Sequence, residues 1–322
     1  RHWLRPHKHS RLSAVAMQQP TPDDCSFKSK EFEEYEREFR RYTRDNLRSC
    51  APETDFTCEC RDNDELLHSK IRTLAEWIRE ACRTVVFTGA GISTASGLPD
   101  YRGPKGIWTR KLQGEAIDDS MCFFVPGSVQ PTFAHNAVAR LFAGGHVAAV
   151  VTTNVDGLHK QSGLPQERIC ELHGNACVEE CRACDARFER DFSTRTATGL
   201  FEHATGRMCD NCGEPLFDNI VNFGNTFEHV PSMEVQHDRA WIECMKADLL
   251  IVLGSSLSVP TACDLPEECL PPRIDKPNGG KLVIVNWQQT PKDEIASLRL
   301  FGSCDEVLHG LELELLQSQN AE

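Results

Sequence analysis

Two pairs of cysteines, Cys181-x-x-Cys184 and Cys209-x-x-Cys212, stand with 24 residues between them. Two such knuckles supply the four thiolates of a tetrahedral zinc site, with Zn–S of about 2.3 Å. Four protein ligands leave no open coordination position, so the metal would be structural. Two redox pairs or free thiols are the alternatives. Cys170 and Cys177 lie nearby but off the knuckle spacing. Just ahead of the cysteines runs Glu171-Leu172-His173-Gly174. An imidazole with an ordinary pKa near 6.5 can act as a general base at neutral pH. Of the twelve histidines, His173 is the candidate base, and His159, His203 and His229 read as surface or packing residues.

The remaining candidate chemistry sits after short apolar runs. Gly89-Ala90-Gly91-Ile92-Ser93 lets the backbone turn sharply and approach a pyrophosphate. A helix following it would offer free N–H groups to the phosphate charge. Asp100, Tyr101, Arg102 and Trp108 lie in a Pro- and Gly-rich loop of the kind that closes over a cofactor. Thr153, Asn154 and Asp156 follow a second apolar run and could bond a ribose, a nicotinamide or a water; Asn and Asp there are also common turn formers. Gly254, Ser255, Ser256 and later Asn286, Trp287, Gln288 suit the phosphates and adenosine ribose of a dinucleotide. Cys304 is either a further adenine contact or a packing thiol. Val221, Asn222, Phe223 and Gly224 alternate apolar and polar, a pattern that could pair with a bound peptide or form an ordinary strand.

These residues need a scaffold that brings strand ends together. Runs at Thr84–Phe87, Val147–Val151, Leu249–Leu253 and Leu282–Val285 read as buried strands of a parallel sheet. A helix is expected from Asp64 to Cys82, with Asp64 as N-cap and Leu67, Ile71, Leu74 and Ile78 as its apolar stripe. Another is expected over 31–48, where Phe32, Tyr35, Phe39 and Tyr42 share one face. The fold class is therefore α/β, a Rossmann-like parallel sheet with a small inserted zinc-binding module. We expect an N-terminal extension over 1–63, a catalytic domain over 64–312 with the zinc module at 174–218, and a short polar tail over 313–322.

The 322 residues are 40% hydrophobic and 26% charged, which excludes wholesale disorder. The formal charge of -13 disfavours general binding to nucleic acid or anionic membrane. Residues 1–50 carry a net +3, so nucleic-acid or nucleosome contact would fall to this arm. Residues 1–16 contain four basic and no acidic residues, compatible with an import segment, and no apolar core of a secretory signal. No stretch is long and apolar enough for a transmembrane helix.

Taken in order, Gly89-Ala90-Gly91-Ile92-Ser93, Pro99-Asp100-Tyr101-Arg102-Gly103, Asn154-x-Asp156-Gly157-Leu158-His159, Leu172-His173-Gly174, the two cysteine pairs, Phe223-Gly224, Gly254-Ser255-Ser256-Leu257 and Val285-Asn286 resemble a sirtuin over about 64–312. Within that family the run Gly103–Thr109, Pro131-Thr132-x-x-His135 and Thr205-Gly206-Arg207 are similar to the class IV branch, the sirtuin six and seven group. The stretch Ile284–Asp293 leans toward sirtuin seven.

The resemblance implies NAD-dependent removal of acyl groups from lysine, giving nicotinamide, O-acyl-ADP-ribose and free lysine. His173 would be the base, with Asn154 and Asp156 beside it. Gly89, Ala90, Gly91, Ser93, Asp100, Tyr101, Arg102, Trp108 and Thr153 would contact NAD. So would Gly254, Ser255, Ser256, Asn286, Trp287, Gln288 and Cys304. Val221, Asn222, Phe223 and Gly224 would flank the acyl-lysine. The resemblance also implies a histone or chromatin substrate and a nuclear location, with cytoplasm or mitochondrion as alternatives. Mono-ADP-ribosyl transfer and NAD-responsive binding with weak catalysis are the other activities considered. The family usually carries Gln where Thr153 stands, often Phe for Tyr101, and frequently an acid for Asn225.

Overall fold

Short runs of β-branched residues and leucine form one sheet buried on both faces. In the computed structural model, residues 58–112, 128–195, 202–222, 225–259, 261–272 and 276–319 are described. The helix expected over 31–48 lies outside these residues. Strands β1 (Thr84–Thr88), β2 (Ala149–Thr152) and β3 (Ile169–Glu171) are followed by four short strands. These are β4 (Val178–Cys181), β5 (Arg187–Glu189), β6 (Ala204–Met208) and β7 (Pro215–Asp218). Then come β8 (Leu249–Leu253), β9 (Lys281–Val285) and β10 (Leu298–Leu300). Six of them build a parallel sheet in the order β10-β9-β8-β1-β2-β3. The strand expected at Val147–Val151 starts two residues later, and β3 and β10 were not foreseen because each is only three residues long.

Helices α1 (Asp64–Glu80), α2 (Ile107–Leu112), α3 (Phe133–Ala143), α4 (Leu158–Gln161), α5 (Ser232–Lys246) and α6 (Cys304–Gln319) complete the described elements of this class. Leu67, Ile71 and Leu74 of α1, Val138 of α3 and Val307 and Leu311 of α6 pack with Val86, Val150, Ile251 and Val283. The opposite face joins Phe87, Val151, Val252 and Ile284 to Ala240 and Cys244 of α5. Successive strand residues thus serve different cores, which is why these strands read as continuous apolar runs. The cap of α1 is Asn63, not Asp64: Leu66 N donates to Asn63 Oδ1 at 2.9 Å. Asp64 and Glu65 fall in the first turn, where their charge favours the helix dipole. At the other end, α6 runs on to Gln319 with Leu315 buried, correcting the polar tail expected from 313. No described helix is long and apolar enough to cross a membrane.

The four short strands form an antiparallel sheet in the order β5-β4-β7-β6. Among the described residues its apolar interior is small: Cys181, Cys209 and Leu216, with Ala186 and Phe188 against them. Glu179 of β4 is fully buried and held by Arg190 and Arg207. A buried carboxylate without such partners would be strongly unfavourable.

Below β1 and β2, two buried histidines meet. His135 and His159 have ring centroids 4.8 Å apart. Thr132 N donates to His135 Nδ1, so the His135 proton sits on Nε2. Thr88 Oγ1 donates to Thr152 Oγ1 and therefore accepts from His159 Nε2, both at 2.8 Å. That leaves a donor on His135 and an acceptor, Nδ1, on His159, and neither has a partner among the described residues. Both rings are neutral. Burial lowers the His135 pKa to about 4 and holds that of His159 well below its usual value. The unfolded chain therefore takes up these protons first as the pH falls. Stability should drop below pH 6.5 by about 1.4 kcal/mol per pH unit for each ring. Denaturant unfolding between pH 7.5 and 5 measures this slope, and His159→Gln should flatten it by about one proton's contribution.

Candidate active site

The chain runs from β1 outward to β3 on one side of the sheet and from β8 outward to β10 on the other. The switch point therefore lies between β1 and β8, and ligands of such sheets bind beyond the carboxyl ends there. At this point two backbones touch. Gly89 N donates to Leu253 O at 3.1 Å and Gly91 N to Gly254 O at 2.8 Å. A Cβ on Gly91 would come within 2.8 Å of Gly254 Cα. Gly254 has φ +62° and its Cβ would meet Ile92 N at 2.5 Å, so only glycine satisfies both the turn and the approach. The space above is walled by main chain, which suits close contact with a pyrophosphate.

The helix expected after β1 is absent. Residues Ala90–Ile92 and Thr94–Ser96 make two 3-10 turns instead. Gly91, Gly97 and β-branched Thr94 in this stretch disfavour a longer helix. The N–H groups of Gly89, Gly91 and Ile92 are already bonded within the protein, so the expected array of free helix donors is corrected. Side chains here bond to one another. Ser93 Oγ donates to Asp156 Oδ2 at 2.7 Å and accepts from Asn154 Nδ2 at 3.2 Å. Asn154 Nδ2 also reaches Gly89 O at 3.1 Å. The Ser93, Asn154 and Asp156 side chains thus join the first two strand ends. Burial raises the pKa of Asp156, while the Leu158 N–H and Ser93 hydroxyl oppose that shift.

His173 follows β3. Its Nδ1 lies 3.1 Å from Thr153 O. A carbonyl cannot donate, so Nδ1 carries the proton and Nε2 is left as a base. Burial lowers the His173 pKa to about 4, which keeps the ring neutral near pH 7. Thr153 turns its hydroxyl back to Thr88 O at 3.3 Å. On the far side of the switch point, Ser255 and Ser256 follow Gly254, with Ser256 Oγ bonded to Ser258 Oγ at 2.8 Å. Asn286, Trp287 and Gln288 follow β9, where Asn286 Nδ2 donates to Gln288 O at 3.0 Å. Cys304 begins α6 after β10 and is buried.

The loop carrying Asp100, Tyr101 and Arg102 folds on itself. Gly103 N donates to Asp100 Oδ1 at 2.9 Å, and a Cβ at Gly103 or Gly106 would run into that carboxylate. Burial raises the Asp100 pKa. The Trp108 side chain, Phe223 and Gly224 lie outside the described residues. Residues 219–222 form no strand, but Val221 N donates to His173 O at 3.0 Å. That bond brings Val221 and Asn222 next to His173.

Several residues that position the site were not anticipated. Arg299 donates through its guanidinium to the carbonyls of Ile284, Asn286, Leu300 and Gln288 and to Asp293. It pins the loop after β9, yet nothing in the sequence distinguishes it from a surface arginine. Thr88 and Thr152 end their strands as a bonded pair, and Asn154 N donates to Thr152 Oγ1 at 3.1 Å.

The Sγ atoms of Cys181, Cys184, Cys209 and Cys212 all lie within 4.8 Å of one another. Cys181 and Cys212 are 3.4 Å apart, Cys184 and Cys209 3.6 Å. A tetrahedron with Zn–S of about 2.3 Å has edges of about 3.8 Å. The four thiols fit zinc, and the small interior of this sheet gives the metal a structural task. Cys209→Ala, or chelation, should destabilise the fold by more than about 4 kcal/mol. Thermal unfolding and metal analysis check this, with one zinc per chain expected before treatment.

A family model described as Sir2 family matches residues 118–261. The chain is 42% identical over 255 residues to "NAD-dependent protein deacetylase SRT1" of Oryza sativa subsp. indica, covering 79% of this chain and 50% of the relative. It is 40% identical over 259 residues to human "NAD-dependent protein deacetylase sirtuin-7", covering 80% of this chain and 62% of the relative. The chain thus spans about half to three-fifths of the length of these relatives. A solved Sir2 structure with a deacetylated p53 peptide and 3′-O-acetyl ADP-ribose is 31% identical. It covers 76% of this chain and 98% of that one, at a TM-score of 0.57. With this likeness, and with the parallel sheet and cysteine cluster in place, the chain belongs to the Sir2, or sirtuin, family, on the side of its class IV branch close to sirtuin-7.

Proposed function

We propose that this chain is an NAD-dependent protein-lysine deacylase. The observation that carries the reading is His173: a neutral ring beyond the sheet's carboxyl edge, its Nδ1 proton given to Thr153 O and its Nε2 left to accept one. When bound, NAD would supply an electrophilic ribose carbon and nicotinamide as leaving group. His173 Nε2 would take the proton of a ribose hydroxyl. Asn154 and Asp156, tied through Ser93, would orient the nicotinamide ribose. The glycine contact would admit the pyrophosphate, with Ser255, Ser256 and the Asn286–Gln288 loop beside the adenosine half. Asp100, Tyr101, Arg102 and Trp108 belong to a loop that would cover the bound dinucleotide. Val221, Asn222, Phe223 and Gly224 would line the acyl-lysine entry. Residues 174–218 are taken as the zinc module, whose metal acts on structure and not on the chemistry.

The named relatives are deacetylases, and the solved relative holds a deacetylated peptide with an acetylated ADP-ribose. Both support an acyl-lysine protein as substrate. A histone or chromatin target and a nuclear location rest on the likeness to sirtuin-7, and the basic arm over 1–50 would serve nucleosome contact.

Mass spectrometry of products from NAD and an acetyl-lysine histone peptide tests the reading. O-acetyl-ADP-ribose and free lysine are expected, falling by about 10²–10⁴-fold in His173→Ala. ADP-ribose attached to protein without deacylated peptide would replace this reading with ADP-ribosyl transfer.

One observation favours slow catalysis. Thr153, which turns its hydroxyl to Thr88 O, stands where the family usually carries a longer amide. Thr153→Gln should raise kcat by about threefold to tenfold, the scale of one restored hydrogen bond. Steady-state kinetics at saturating NAD measures it, and an unchanged kcat would end the argument for weakened catalysis.

A further inference from the structure

Asn219 is 1% exposed and stands where three parts of the molecule cross. Its Oδ1 accepts from Asn175 N at 3.0 Å, on the loop that carries His173. Its Nδ2 donates to Glu180 Oε1 at 2.9 Å, on β4 of the antiparallel sheet. Its own carbonyl lies where a Cβ on Gly174 would be, 1.9 Å away. Gly174 has φ +80°, so the chain turns there only as glycine readily does. Two residues on, Val221 N donates to His173 O at 3.0 Å. The Asn175 side chain extends the link, donating to Glu171 Oε1 at 2.5 Å and accepting from Cys177 N at 2.9 Å. Glu171 Oε2 is in turn held by Gln166 and Arg187, both at 3.0 Å.

We infer that Asn219 is a positioning residue that sets His173 against the segment Ile220–Asn222. The inference rests on the deacylase reading above and deepens it. An amide is required here because one end must accept and the other donate. Aspartate would lose the donor and face Glu180 with a like charge; alanine would lose both bonds. Both ends of its side chain are already spent on Asn175 and Glu180, so it would act through His173.

The two chemical steps respond differently. In the first step the acyl oxygen would bond to the ribose carbon as the bond to nicotinamide breaks, a displacement that calls for no base. It reverses, so labelled nicotinamide exchanges into NAD whenever this step works. In the later step a ribose hydroxyl would give its proton to His173 Nε2 as its oxygen bonds to the acyl carbon and the carbon–nitrogen π bond opens; water would then enter, the lysine amine would leave, and O-acyl-ADP-ribose would remain. A displaced base slows the second step alone, and misplacement by about 1 Å can cost about 100-fold.

The test compares Asn219→Ala, Asn219→Asp and the unaltered full chain with NAD and an acetyl-lysine peptide. Deacylation and nicotinamide exchange are measured beside zinc content and thermal unfolding. We expect deacylation kcat to fall by about 10- to 100-fold while exchange falls by less than about threefold. Zinc should stay at one per chain. Equal losses in both reactions, or no loss in either, would overturn the inference. If the Asn219 variants do not fold, Glu180→Ala frees only the Nδ2 end, and Glu180→Gln, which keeps an acceptor, should restore the exchange-to-deacylation ratio. Absence of both reactions in the unaltered chain would remove the deacylase reading itself, a result distinct from loss of the split.

Discussion

The backbone of Gly91 lies against that of Gly254, and much of the site depends on that contact. It joins the ends of β1 and β8, which adjoin in the sheet but lie far apart in the chain. The contact closes the floor of the crevice at the switch point without any side chain intruding. It also uses the N–H groups of Gly89 and Gly91 within the protein. Recognition of a ligand would therefore draw on the hydroxyl and amide side chains set around this contact. Ser93, Asn154 and Asp156 form one such group, already bonded to one another before any ligand arrives. A group preordered in this way loses little conformational freedom on binding.

Burial keeps the titratable groups around this floor in uncharged or tightly held forms. The threonine pair carries hydrogen bonds from neutral His159 up to the backbone of Asn154. His173 is likewise neutral, and its tautomer is set by a backbone carbonyl and not by a carboxylate. A base held by main chain has its orientation tied to the sheet. Glu171 and Glu179, two of the buried acids in or beside the antiparallel sheet, are instead paired with arginines. The site thus separates a neutral proton acceptor from the ion pairs that secure its surroundings.

Among the described residues the antiparallel sheet has little apolar interior. Four cysteines suited to zinc and the double arginine clamp on Glu179 compensate for that shortage. Its coupling to the parallel sheet is polar and runs through Glu171, Asn175, Asn219 and Glu180. Directional hydrogen bonds set register more sharply than apolar packing does. His173 and the segment after β7 are therefore tied to the same few amides.

The sequence by itself determined the strands with long apolar runs and pointed to the four cysteines that the fold gathers, and it named most of the candidate residues at the strand ends. Burial on both faces demands unbroken Val, Ile and Leu, and that signal survives in a single chain. Two cysteine knuckles and a lone His between a glycine turn and those knuckles are also local signals. Three-residue strands β3 and β10 carried too little periodicity to be seen, and the cap of α1 moved to Asn63 because side-chain reach decides between adjacent residues. Only the tertiary structure decided the rest. The 3-10 turns after β1 exist because the loop is pulled onto Gly254. The tautomer of His173, the grip of Arg299 on the loop after β9 and the crossing at Asn219 all depend on partners distant in sequence. A hydrogen bond between remote segments leaves no spacing in the chain to read, since its geometry is set by the packing of the sheets.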